Sequence, residues 1–184
     1  MNVDLPNHSK GFTLIELLVV VSIIAIIGGG IIPSFSQYLN DQNLKQAQEQ
    51  LKSDLRTIQN KALTGASSNE EIPEASGNRA KYWGVYFRSG SETVDYFISK
   101  STSPCPPAYS GDGQTGIPKG SFKIPNTVVY KGNSGCLFFD IKNGDIISSG
   151  GITSPYIKIN YASELGGDSP SDKTINFTSA GAIY

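Results

Sequence analysis

Glu16 is the only ionisable side chain in Phe12–Ile32, FTLIELLVVVSIIAIIGGGII, a run of 21 residues. A carboxylate within hydrocarbon is costly unless it is protonated, paired or drawn to the interface, so the segment needs an account of Glu16. One account is local: Glu16 lies near the helix start, where it can snorkel into the headgroups and meet the positive end of the helix dipole. The other requires a cation. The polar stretch before the run, MNVDLPNHSKG, ends in Lys10-Gly11, and a cut after Gly11 would create an α-amine on Phe12, four residues from Glu16. Four residues is about one helical turn, so the pair could form within one chain or between neighbours staggered along a bundle.

The elements around Glu16 follow from periodicity. At about 1.5 Å per residue, a helix over Phe12–Ile32 would cross a hydrocarbon core of about 30 Å, which predicts a single membrane span. It is too long for the apolar region of a secretory signal, and no small-x-small cleavage site follows before Pro33. Pro33 predicts a kink or a locally melted turn, and Gly28-Gly29-Gly30 upstream offers either flexibility or a close-packing surface between helices. Beyond it, Leu44, Ala47, Leu51, Leu55, Ile58 and Ala62 recur at helical spacing, with Gln42, Lys45, Gln48, Glu49, Lys52, Asp54 and Lys61 between them. This stripe is expected to pack on the chain's own globular part, a coiled-coil partner being the alternative. Thr64-Gly65 supplies the stop.

From Tyr82 onward the pattern is strands separated by Gly, Pro, Asn and Ser. The expected strands are 82–88, 94–99, 123–130 broken at Pro125, 136–141, 145–148, 156–161 and 173–177. Lys142-Asn143-Gly144-Asp145 reads as a turn whose Asn-Gly favours the positive φ values of a tight hairpin. Alternation in 156–161 places Ile157 and Ile159 on one face and Lys158 on the other. A half-buried antiparallel sheet receiving the helical stripe gives an α+β fold. Four segments follow: a leader over 1–11, an apolar helix over 12–33, an amphipathic helix over 34–65 and a β-rich head over 66–184.

The run Lys10-Gly11-Phe12-Thr13-Leu14-Ile15-Glu16-Leu17-Leu18-Val19-Val20 resembles the type III signal of type IV prepilins and pseudopilins. The resemblance implies cleavage between Gly11 and Phe12 by a prepilin peptidase on the cytoplasmic side, N-methylation of Phe12, and contact of Glu16 with the Phe12 amine of an adjacent subunit during assembly. It implies as partners the peptidase, other pilin or pseudopilin subunits, an inner-membrane assembly platform and the lipid bilayer. The chain would reside in the inner membrane with an extracytoplasmic head, and later in a pilus or a type II secretion pseudopilus. The segment Leu51–Leu63 and the closing Ile175-Asn176-Phe177-Thr178-Ser179-Ala180-Gly181 are similar to minor pilins related to the H-type pseudopilin. A ligand-binding tip subunit, for DNA uptake or for substrate or surface recognition, is the alternative role.

In an extracytoplasmic head, Cys105 and Cys136 are an even pair expected to form a disulfide. It would close a loop of about 32 residues, contributing about 3.7 kcal/mol in the chain-entropy model. The Pro-, Gly- and Ser-rich stretch Pro104–Gly120 is expected to be a surface loop restrained by it.

Other chemistry is sparse, and neither an enzyme nor a cofactor is expected. The single histidine, His8, lies in the leader, leaving the head none for a catalytic triad or a typical zinc site. Asp112-Gly113 and Asp168-Ser169-Pro170-Ser171-Asp172 lack the ligand rhythm of a calcium loop and read as turns. A net charge of −1, with 17% charged residues, argues against holding nucleic acid by bulk charge. Arg79, Lys81, Arg88, Lys119, Lys123 and Lys131 are scattered candidates for phosphate contact, and Trp83 with Tyr82, Tyr86 and Phe87 reads as core rather than a base-stacking platform.

Overall fold

The structure, a computed structural model, describes residues 11–66, 79–103, 105, 116–162 and 172–184, with the backbone alone over 29–37. The chain forms two compact units, Met1–Asn40 and Asp41–Tyr184. Helix α1, Leu14–Leu63, passes from the first into the second.

In the first unit the described apolar side chains, from Phe12 through Ile27, are solvent-exposed. Among the described residues no helix is long and apolar enough to cross a membrane. The backbone of α1 is helical through Pro33, so the locally melted turn expected there does not form.

The second unit is α+β. Every member of the helical stripe, Leu44, Ala47, Leu51, Leu55, Ile58 and Ala62, is buried. Helix α1 ends in a Schellman motif: Gly65 takes φ +66°, its N–H donates to the Ala62 carbonyl at 3.0 Å, and the Ala66 N–H donates to the Lys61 carbonyl at 3.0 Å. Trp83 fixes this end, its Nε1 donating to the Ala66 carbonyl at 2.9 Å.

Eight strands follow: β1 (Tyr82–Phe87), β2 (Thr93–Ser99), β3 (Ile117–Lys123), β4 (Val128–Lys131), β5 (Gly135–Asp140), β6 (Ile146–Gly150), β7 (Tyr156–Tyr161) and β8 (Lys173–Asn176). They form two sheets, ordered β3-β2-β1-β5-β6 and β4-β7-β8, with all pairs antiparallel. One core joins the helical stripe to Val85, Phe87, Ile98, Leu137 and Phe139 of the first sheet and to Val128, Ile157, Ile159 and Ile175 of the second.

Three expectations change. The strand expected over 123–130 is two strands in different sheets, and the chain crosses between them at Ile124–Thr127, where Asn126 (φ +62°) and Thr127 (φ +56°) both adopt left-handed conformations. The loop expected over 104–120 ends in strand β3. Pro118 discounts a strand in sequence, but β3 lies at a sheet edge, where a proline is tolerated. The Asn143-Gly144 hairpin is a longer loop, with the Gly144 N–H reaching the Asp140 carbonyl at 2.8 Å, and of the two only Gly144 has positive φ (+75°).

Candidate functional site

Thr13 and Glu16 form a capping box at the start of α1. The Thr13 N–H donates to Glu16 Oε2 at 3.1 Å, the Thr13 hydroxyl donates to the same oxygen at 3.0 Å, and the Glu16 N–H reaches Thr13 Oγ1 at 3.3 Å. Helical bonding begins at once, Leu17 N–H to the Thr13 carbonyl at 3.2 Å. The two backbone contacts satisfy the Thr13 and Glu16 N–H groups, which a helix start would otherwise leave open, and the hydroxyl contact ties the two side chains together. Thr13 was not singled out in the sequence, although Thr-x-x-Glu before an apolar run is the written form of this motif.

Gly11 and Phe12 lie before this cap, outside the helix and exposed. A Cβ added at Gly11 would meet nothing within 4 Å, so the chain's own packing places no demand for glycine there. The Gly11–Phe12 peptide bond is therefore presented on non-helical, open backbone, one residue ahead of a fixed helix start.

In the second unit Cys105 and Cys136 are bonded, with S–S 2.01 Å and Cα–Cα 5.7 Å. Cys136 is fully buried on β5, opposite Tyr86 of β1. It belongs to a second apolar cluster with Tyr86, Phe97 and Phe138, against which Tyr82 and Cys105 pack. Gly84 lies opposite Phe97, and a Cβ there would run into the Phe97 ring. Phe97 and Phe138 meet edge to face at 5.8 Å, as do Tyr82 and Phe138 at 6.2 Å.

Two of the candidate phosphate contacts have carboxylate partners. Lys123 pairs with Glu92 at 2.9 Å and Lys131 with Asp172 at 3.1 Å. Trp83 and Phe87 are buried in the main core. Asp112, Gly113, 168–171 and His8 lie outside the described residues. Among those described, no group of three or more His, Cys, Asp or Glu could hold a metal ion.

Gln48, expected to fill a polar face, and its helix neighbours Arg56 and Gln59 hold carbonyls of the second unit. Gln48 Nε2 donates to the Thr174 carbonyl at 2.6 Å, Arg56 Nη2 to the Ile183 carbonyl at 2.8 Å, and Gln59 Nε2 to the carbonyls of Gly144 at 3.1 Å and Gly181 at 2.7 Å.

Residues 6–32 match the family model of the prokaryotic N-terminal methylation motif. The chain carries the signature of type IV prepilins and pseudopilins. No curated protein and no solved structure matches it. The prepilin motif implies processing by a prepilin peptidase, membrane anchoring, and later assembly with other pilin subunits in a pilus. It suggests a structural subunit rather than an enzyme. The match ends at Ile32, so the H-type subgroup within the prepilin-like proteins does not follow from it.

Proposed function

We propose that the chain is a minor pilin or pseudopilin, cut between Gly11 and Phe12, N-methylated at Phe12, and packed into a filament through its apolar helix. The observation that carries this reading is the placement of the Gly11–Phe12 bond within the matched motif, on exposed non-helical backbone next to a capped apolar helix. Gly11 serves recognition by the peptidase, consistent with the open space around it. Before assembly, Phe12–Ile32 spans the inner membrane; the bare apolar side chains need either hydrocarbon or neighbouring helices to cover them.

Glu16 is the assembly contact. The capping box occupies one carboxylate oxygen, Oε2, and a carboxylate has acceptor capacity for a further donor. A Phe12 α-amine on a neighbouring subunit is the cation that would complete it. Pro33 allows the helix to bend during extraction from the bilayer. The helical stripe and the closing strand and turn support an H-type minor subunit.

Intact mass and N-terminal analysis of protein from sheared filaments and from membranes test this. A chain beginning at methylated Phe12 in filaments is the expected result. A chain still beginning at Met1 and confined to membranes, in cells with an active prepilin peptidase, would overturn it.

A further inference from the structure

Asn160 is the fully buried centre of a polar group that nothing in the filament reading uses. It lies on β7, the middle strand of the β4-β7-β8 sheet, opposite Val129 of β4. Lys131 is two residues along β4 and so shares that face, and Asp172 immediately precedes Lys173, the partner of Ile159. The three side chains converge. Asn160 Nδ2 donates to Asp172 Oδ1 at 2.6 Å, and Lys131 Nζ lies 3.1 Å from both Asp172 oxygens. Because Nζ and Nδ2 share Oδ1, they are at most about 5.7 Å apart, the two bonds laid end to end. Lys131 and Asp172 side chains are 13% and 11% exposed, so water has little access to the pair.

An amine, a carboxamide and a carboxylate touching both make up the parts of an acyl transfer. The carboxamide oxygen is also held: Asn160 Oδ1 accepts the Tyr161 N–H at 2.7 Å, a donor placed where negative charge would develop on attack. We propose that Lys131 and Asn160 form an intramolecular isopeptide bond, with Asp172 as the proton-transfer catalyst. Asp172 takes a proton from the Lys131 ammonium, and the freed Nζ lone pair attacks Asn160 Cγ. Asp172 then passes its proton to Nδ2 and receives one from the attacking nitrogen. The Cγ–Nδ2 bond breaks, ammonia leaves, and a final proton from Asp172 makes it ammonium. One C–N bond replaces another and Asp172 ends as it began; no oxidant or cofactor is consumed. The product is a covalent rung between adjacent strands, independent of the filament reading.

Intact mass of the reduced full-length protein, reckoned from its observed N-terminus, reads the bond directly. The expected result is a deficit of about 17 Da, the mass of ammonia, abolished in Lys131→Arg and in Asp172→Ala. Fragmentation of a proteolytic digest should yield one branched peptide joining residues 131 and 160. Asn143-Gly144 can lose the same mass by closing to a succinimide, but that deficit would persist in Lys131→Arg and would overturn the proposal. A reduced wild-type mass equal to that of the sequence, after prolonged incubation of the folded protein, would also overturn it, whether or not the variants fold.

Discussion

Glu16 Oε2 accepts both the backbone N–H and the hydroxyl of Thr13, at 3.1 and 3.0 Å. The carboxylate therefore has a use within its own chain before any neighbour arrives. Glu16→Ala loses the cap and the anion together, whereas Glu16→Gln keeps a capping acceptor and removes the charge. Filament assembly should fall in both if the charge meets a neighbouring amine, while cleavage after Gly11 and folding of the second unit persist. Thr13→Ala should fray the first turn with a smaller effect on assembly, and Thr13→Ser should restore it. Assembly of Glu16→Gln at the wild-type level would refute the charge contact.

Gly84 supports the Phe97 ring across β1 and β2, leaving no room for a methyl group. Gly84→Ala should destabilise the second unit by about 1–3 kcal/mol through overpacking. Adding Phe97→Leu should recover part of that loss, since the obstructing ring is gone. Urea unfolding of the four proteins forms a double-mutant cycle, and strict additivity would disprove the steric account.

Gln59 satisfies two carbonyls from different turns, Gly144 and Gly181. Gln59→Ala should cost about 1–3 kcal/mol by stripping those acceptors of their donor. Gln59→Glu should cost more at neutral pH, because a carboxylate would then face two carbonyl oxygens. Denaturation midpoints at pH 7 check the order.

The Cys105–Cys136 bridge closes a loop with a sequence separation of 31. Reduction should lower stability by about 3–4 kcal/mol in the chain-entropy model. Cys136→Ser should be worse than Cys105→Ser, because position 136 is fully buried among Tyr86, Phe97 and Phe138. Urea titrations with and without reductant measure both effects.

Burial pushes the Tyr130 phenol up from 10.0 to about 12. The unfolded chain loses this proton near pH 10 while the folded chain keeps it, so the associated stability is intact below pH 10 and is lost as the pH rises through 12. Absorbance titration should show one tyrosine ionising last, and Tyr130→Phe should remove that step. Its hydrogen bond to the Asn133 carbonyl at 2.9 Å disappears in the same variant, so stability is compared across pH rather than at one value.

The stripe from Leu44 to Ala62 was legible because helical burial leaves a period of 3.6 in the sequence, and each of its residues is buried. The strand over 156–161 was legible for the corresponding reason, an alternation of two. Strand β3 was not: its sequence, Ile-Pro-Lys-Gly-Ser-Phe-Lys, carries proline and glycine, and its pairing with β2 is set from outside the segment. Around the candidate site, the motif marked Gly11, Phe12 and Glu16, and Thr13 could have been read with them. The Lys131–Asp172–Asn160 group could not, because its members come from separate strand regions and meet only through sheet register.

The backbone of Tyr184 exchanges two hydrogen bonds with Asn176, at 2.9 and 3.0 Å, and Ile183 beside it receives Arg56. Helix residues 48, 56 and 59 thus depend on partners more than 120 positions later in the chain. During synthesis, the helix emerges long before the segment that latches it, and its buried stripe must wait uncovered or under a chaperone. Residues 174–184 carry the contacts that latch the helix. Truncation ahead of residue 176 would therefore remove the carbonyl that holds Arg56 and one of the two that hold Gln59, leaving the helical stripe unlatched on that side.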